Sequence, residues 1–299
     1  MKKKYANLLL LLVSVIWGGG FIFVQILLDS GVPAGMITMM RGGIFAVCAF
    51  ALFFKRIIKM TLKDLKVGLI AGVTNAFGFL FQAIGQSMTS ASHASLITII
   101  YVVAVPVFCF IFYRIKLKLK TIISVIICVL GAFLLVSNFD GGFDGRAIAG
   151  DALVLAGAVM LGANIAYLGH SGKETHYGTV SFFMGATLFL TSLVYVLVAG
   201  EMRMPEGSGW KIAVSIAYLG ILSSTLCQIL QVLCQRYTSP VSASMIMTLE
   251  GFFGGTFALL YGDAFTWRLL AGGLLIIFSV LMHEFDFSVL FRKKEEKDE

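Results

Sequence analysis

One carboxylate stands where a carboxylate is costly. Between Thr238 and Gly262 the chain reads TSPVSASMIMTLEGFFGGTFALLYG, an apolar run long enough to cross a bilayer, and its only charge, Glu250, falls near the middle. An acid at that depth marks a pathway or a site by default, because lipid offers nothing to compensate it. Such a group could trade a proton for a cationic or zwitterionic solute and so couple two fluxes. The competing account is a protonated, hydrogen-bonded glutamate that only holds helices together. Side-chain amides form the second chemical class. Asn75, Gln82 and Gln86 recur at i, i+7 and i+11, and Ser224, Gln228, Gln231 and Gln235 at i, i+4, i+7 and i+11, so each set shares one helical face. Lipid cannot satisfy amide donors and acceptors, so both stripes must face other helices or water. They read as the polar wall of a solute cavity, with interhelical hydrogen bonding as the alternative.

Two more faces carry candidates. Ala94, Thr98, Tyr101 and Val105 share one, and Ala243, Met247, Glu250 and Gly254 the other, which sets the Tyr101 hydroxyl at a depth mirroring Glu250. Trp17 precedes Gly18, Gly19 and Gly20, and Asn164 and Tyr167 lie at corresponding levels of a later apolar stretch. The candidate solute-contacting set is therefore Trp17, Asn75, Gln82, Gln86, Thr98, Tyr101, Asn164, Tyr167, Gln228, Gln231, Met247 and Glu250, with Glu250 also the coupling group. Arg41 is the one basic residue within an apolar span. Its position near a span end reads as snorkelling or a structural pair, an anionic group or Glu250 being the other possible partner.

Other chemistries find little support. His93, His170, His176 and His283 lack metal-ligand spacing, and the five cysteines (Cys48, Cys109, Cys128, Cys227 and Cys234) all fall in apolar spans as small buried side chains. The chain contains no GxSxG, HExxH, phosphate-binding glycine loop or carboxylate pair. Neither a metal nor a cofactor is expected, and an enzyme is poorly supported.

The elements that must hold these residues are membrane helices. The 299 residues are 59% hydrophobic and only 13% charged, against about 25% charged in ordinary domains. The apolar runs are continuous, which excludes a barrel of alternating ten-residue strands. Ten spans fit the length a bilayer requires, at 6–28, 33–54, 66–88, 92–113, 118–137, 148–168, 177–199, 210–233, 238–262 and 266–285. The first is too long for a signal-peptide core and is expected to remain as a helix.

The spans divide into two sets of five. Shifted by 149 positions, Gln82–Ile97 matches Gln231–Ile246 at seven of sixteen residues, including Gln82/Gln231, Gln86/Gln235 and Ser95/Ser244. An offset of half the chain is an internal duplication, and five spans per copy force the second copy to enter the membrane inverted. The expected division is a first repeat at 1–140, a second at 147–287 and a charged cytoplasmic tail at 288–299, joined by a 138–150 connector. Of the 23 lysines and arginines, eighteen fall in segments on the side of the N-terminus, four on the other side and one, Arg41, within a span. That asymmetry predicts cytoplasmic termini and explains the net charge of +7 without a nucleic-acid partner. Inverted repeats are typical of secondary transporters, whose sites lie near the midplane between the halves.

The residues resemble the drug/metabolite transporter superfamily, in particular its ten-span EamA-type members. The resemblance rests on IWGGGFIFVQ in the first span, Arg41 in the second, Gly131-Ala132 ending the fifth, Gly150-Asp151 opening the second half, and TLEGFFGGTFALLYGDAFTW across the ninth. It covers the chain end to end. The chain departs from the family pattern at Gly251, where proline usually follows the glutamate, and at Leu161-Gly162, where tryptophan is common. The resemblance implies export of small metabolites, often amino acids or related compounds, across a bacterial inner membrane. The sequence as a whole is thus expected to encode an all-α integral membrane protein, a secondary transporter working by alternating access. A broad drug exporter, a membrane enzyme using Glu250 as acid or base, and a solute-free scaffold are the alternatives.

Overall fold

A computed structural model describes residues 1–136, 145–203, 209–261 and 267–284. Helices dominate because, inside a bilayer, every backbone amide must find its partner within the segment. Five crossings run as single helices, Lys3–Asp29 (α1), Ala34–Ile57 (α2, kinked near its end at Phe53), Leu62–Gln86 (α3), Leu119–Val136 (α6) and Tyr177–Ala199 (α8). Gly145–Ser171 (α7) and Trp267–Glu284 (α13) are also continuous. The fourth crossing is split into Ala91–Thr98 (α4) and Tyr101–Tyr113 (α5), and the ninth into Pro240–Met247 (α11) and Leu249–Tyr261 (α12). The eighth runs as Gly209–Ala217 (α9), a π-helical stretch at Tyr218–Leu226, and Cys227–Cys234 (α10). These ten crossings form two five-crossing repeats of an all-α membrane protein. The expected tail, 288–299, lies outside the described residues, as does the connector up to 144; its last six positions belong to α7.

Packing follows a two-fold pattern between the repeats. The second crossing packs on the seventh (α2 on α8) and the fifth on the tenth (α6 on α13). The third packs on the sixth (α3 on α7), mirrored by the eighth on the first, and the first packs on the ninth (α1 on α12), mirrored by the sixth on the fourth (α7 on α5). Close approach needs small residues. A Cβ on Gly18 would sit 2.7 Å from the Phe253 Cβ, 2.8 Å from the Gly254 nitrogen and 2.9 Å from the Glu250 carbonyl oxygen, so only glycine lets α1 lie against α12 at the level of the buried acid.

The two split crossings break at equivalent places. Ile99 (φ −55°, ψ −23°), Ile100 (φ −58°, ψ −17°) and Thr248 (φ −60°, ψ −16°) have tight 3₁₀-like geometry. Their backbone bonds are correspondingly three residues long: Ile100 to Ile97, Val102 to Ile99 and Val103 to Ile100 in one repeat, Gly251 to Thr248 in the other. Tyr101 opens α5 and Glu250 is the second residue of α12. A 3₁₀ or π segment inside a long helix marks a hinge or a functional site more often than chance packing does. Here three such irregularities meet roughly midway along their crossings.

Candidate functional site

The three irregular segments border a cavity of ≈ 40 Å³. Its polar lining comes from both repeats: Trp17 on α1, Arg41 on α2, Gln82 and Gln86 on α3, Thr98 and Tyr101 at the break of the fourth crossing, Ser223 in the π segment, Gln231 on α10 and Glu250 at the break of the ninth. Apolar walls are supplied by Phe21, Val24, Phe79, Leu161, Ile165 and Leu219.

Glu250 is 3% exposed and Tyr101 1% exposed. The 3₁₀ turns bring the Tyr101 hydroxyl into electrostatic reach of the Glu250 carboxyl. The two groups face each other, yet neither the Tyr101 hydroxyl nor the Glu250 Oε1 makes a hydrogen bond of good geometry. Buried polar atoms without partners are uncommon and call for an explanation, such as a catalytic role or an unmade contact to water or an ion. The polar groups around them are engaged in part. Gln82 Nε2 donates to Thr98 Oγ1 at 2.9 Å, and Thr98 Oγ1 donates to the Ala94 carbonyl at 2.7 Å. Gln231 Oε1 has no partner, so the two equivalent glutamines line one cavity in different states of satisfaction.

The π segment is held by side chains from the first repeat. Trp17 Nε1 donates to the Ser223 carbonyl at 2.8 Å, and Tyr218 Oη donates to the Ile16 carbonyl at 2.8 Å in return. Arg41 Nε donates to Ser224 Oγ at 2.8 Å and Arg41 Nη2 to Ser223 Oγ at 3.1 Å, while its guanidinium lies 4.2 Å from the centroid of the Phe79 ring. Arg41 is 4% exposed, so it does not snorkel, and among the described residues it forms no ion pair. The expectation of a snorkelling or paired arginine is corrected: α2 turns residue 41 toward the centre of the bundle, where a span end had suggested the interface. Burying a cation costs several kcal/mol. A cation–π contact returns about 1–2 kcal/mol, and two hydrogen bonds from a charged donor about 1.5–3 kcal/mol each. Those contacts hold the guanidinium in place without an acid. Cys227 is within electrostatic reach of both Arg41 and Glu250, so the cation and the acid flank one residue.

Seven of the twelve residues singled out from the sequence line the cavity: Trp17, Gln82, Gln86, Thr98, Tyr101, Gln231 and Glu250. The other five lie elsewhere. Gln228 Nε2 donates to Asn75 Oδ1 at 3.0 Å, tying α10 to α3 with both residues buried. Asn164 Nδ2 donates to the Ala71 carbonyl at 2.8 Å and to Thr74 Oγ1 at 3.3 Å, tying α7 to α3. Tyr167 packs against the cluster around Phe45, Leu168 and Val232, and Met247 is fully buried with Tyr101, Val102 and Val105. Arg41 and Ser223, by contrast, enter the lining without having been among the candidates. The signal for Arg41 was present, since it is the one cation in a span; depth alone does not tell which way a helical residue points.

Gln86 Nε2 donates to the Phe21 carbonyl at 2.9 Å, and its repeat equivalent, Gln235, donates to the Ile165 carbonyl at 3.2 Å. One glutamine thus ties α3 to α1 and the other ties α10 to α7. The chain matches the EamA-like transporter family over residues 4–137 and 148–283. The two matched stretches begin 144 residues apart, the same interval that separates Phe21 from Ile165. An uncharacterized transporter from Archaeoglobus fulgidus is 28% identical over 283 residues, covering 94% of this chain and 86% of the relative. A solved crystal structure superimposes with a TM-score of 0.78 at 15% identity, covering 99% of this chain and 100% of the other, a likeness of fold alone. With two family matches that together cover most of its length, the chain belongs to the EamA-like transporter family, and it is a transporter rather than an enzyme.

Proposed function

We propose that this membrane transporter is a secondary exporter of small zwitterionic metabolites, amino acids or close relatives, and that Glu250 couples their movement to protons. The observation that carries the reading is the position of Glu250: a buried acid facing Tyr101 without a well-formed hydrogen bond, at a helix break, in a cavity lined by both repeats. Inverted-repeat transporters bind solute at such midplane breaks. A solute amine on the carboxylate and a proton on the carboxyl would be alternatives, so one departs as the other arrives. Tyr101 and Cys227, the groups nearest the acid, carry no charge, and the one cation in the lining, Arg41, is held by Ser223, Ser224 and the Phe79 ring.

A cavity of ≈ 40 Å³ has room for a few water molecules, whereas small-molecule sites typically measure about 300–1,000 Å³. A solute therefore requires the helices to part. The 3₁₀ turns at Ile99–Ile100 and Thr248 and the π segment are where such a movement would begin, giving alternating access by rocking one repeat against the other. The setting is the cytoplasmic membrane with both termini on its cytoplasmic side.

The test is flux in sealed vesicles holding the purified full chain, with a panel of amino acids and an imposed pH gradient. Glu250→Gln keeps the shape and hydrogen-bonding capacity and removes the titration. The variant is expected to fold, to exchange solute at equal concentrations, and to lose its response to the gradient. Unchanged rate with unchanged pH response would make Glu250 structural and the coupling reading wrong.

A further inference from the structure

We propose that Arg41, fixed by the π-helical segment of the eighth crossing, is an anion subsite that takes the carboxylate of a solute with an apolar body. This deepens the amino-acid reading above and rests on it for the claim that the solute is then moved, though not for the claim that it binds.

Four observations carry the assignment. Arg41 lines the cavity and is nine-tenths buried, yet among the described residues no acid pairs with it. Its Nε and one terminal nitrogen are committed to Ser224 and Ser223, and its face to Phe79, so its orientation is set before any solute arrives. The serines that set it lie in the π segment, whose departure from α-helical spacing is maintained by Trp17 at the Ser223 carbonyl. The opposing charge in the same cavity is Glu250, with Cys227 within reach of both.

The chemistry follows from those partners. A guanidinium recognises a planar carboxylate through paired donors. With two nitrogens occupied by serine hydroxyls, one cation balances one negative charge; a phosphoryl dianion would need a second cation, and the lining supplies none. A carboxylate at Arg41 and an ammonium at Glu250 would leave the site neutral overall. Phe21, Phe79, Leu161, Ile165 and Leu219 complete the walls with hydrocarbon, which favours an apolar side chain between the two charged ends.

The purified full chain in detergent separates the two ends by thermal melting. The probes are 4-methylpentanoate, which has the carboxylate alone; leucinamide, which has the ammonium alone; L-leucine, which has both; and inorganic phosphate. We expect 4-methylpentanoate and L-leucine to raise the melting temperature of the wild type. In Arg41→Gln the 4-methylpentanoate shift should vanish while the leucinamide response persists, which shows that the variant is folded and its other subsite intact. Arg41→Lys should retain part of the shift, since it keeps the charge and loses the fork. The proposal is overturned if 4-methylpentanoate gives no shift in the wild type, if Arg41→Gln keeps the full shift, or if phosphate stabilises as strongly as the carboxylates. Leucine flux in vesicles is scored separately. Carboxylate binding that depends on Arg41, with no flux of any amino acid, leaves the anion subsite standing and sinks the amino-acid transport reading; flux with no effect of Arg41→Gln does the reverse.

Discussion

Among the amides, position along one stripe separates two jobs. Asn75 and Gln82 share a face of α3, seven residues apart, yet Asn75 is locked to Gln228 across the repeat interface while Gln82 reaches the cavity and Thr98. Asn75→Ala removes the acceptor of a buried amide and leaves the Gln228 donor unsatisfied, a loss of about 1–3 kcal/mol in water-soluble proteins, and nearer ~1 kcal/mol between membrane helices. The expected result is a lower melting temperature with solute exchange retained. Gln82→Leu and Gln231→Leu act the other way: expression and melting should stay near wild type, and flux in vesicles should fall by about tenfold, the value of roughly one hydrogen bond at the solute. Normal flux in both leucine variants would assign the whole stripe to helix packing. The spacing i, i+7, i+11 was legible in the sequence and placed all these amides on common faces. Which neighbour each face meets was not, because that depends on how far each helix is rotated and on a second helix remote in the chain.

At the scale of elements, the crossings themselves were readable and their interiors were not. All ten expected spans overlap helices or helix pairs that begin and end within about four residues of them, since continuous apolar runs of bilayer length leave little choice; the sixth starts at Gly145, taking in the end of the stretch expected as connector. The 3₁₀ turns carry no such mark. Ile99 and Ile100 are β-branched residues in an unbroken apolar run, and Gly251 stands where a proline would have announced a bend, yet the break falls at Thr248 all the same. The π segment is likewise invisible locally, because its partners, Trp17 and Arg41, lie about two hundred residues upstream. The glycines at the first crossing are a case between the two. Three glycines in a row after Trp17 are plain in the sequence, their neighbours are not, and Gly18 meets backbone atoms of α12 that cannot step aside. Gly18→Ala should therefore overpack the α1–α12 contact and cost about 1–3 kcal/mol. Gly172→Ala, whose added Cβ would meet nothing nearer than Leu168 at 3.7 Å, should change stability by less than about 0.5 kcal/mol. Equal melting of the Gly18→Ala variant and the wild type would show that α1 stands further from α12 than the structure has it.

The whole molecule has a handed orientation that its two-fold packing alone does not choose. Two inverted repeats look nearly the same from either side of a membrane, so the choice rests on charge. The turns at Ile58–Thr61, Arg114–Lys118 and Gly172–His176 all lie at the end of the bundle that holds Lys3, where α1 begins and α13 finishes with Glu284. That end is also bound by polar contacts, Lys3 to Glu284 at 3.2 Å, Lys63 to Glu174, Arg236 Nη2 to the Lys173 carbonyl at 2.9 Å, and the His176 amide to Asp64 at 2.8 Å. The opposite end carries few basic residues and is closed by Glu201, which accepts from the Gly35 amide at 3.0 Å and from Tyr195 at 3.2 Å. Basic segments stay on the cytoplasmic side during insertion, so the Lys3 end should face the cytoplasm. With the five native cysteines replaced, single cysteines at Ser30 and Met202 should react with an impermeant maleimide on intact cells. Cysteines at Lys59 and Lys173 should react only after the membrane is opened. Labelling of the last two from outside, with Ser30 and Met202 protected, would invert the molecule in the membrane, and with it the direction in which the proposed exchange of proton for solute carries its cargo.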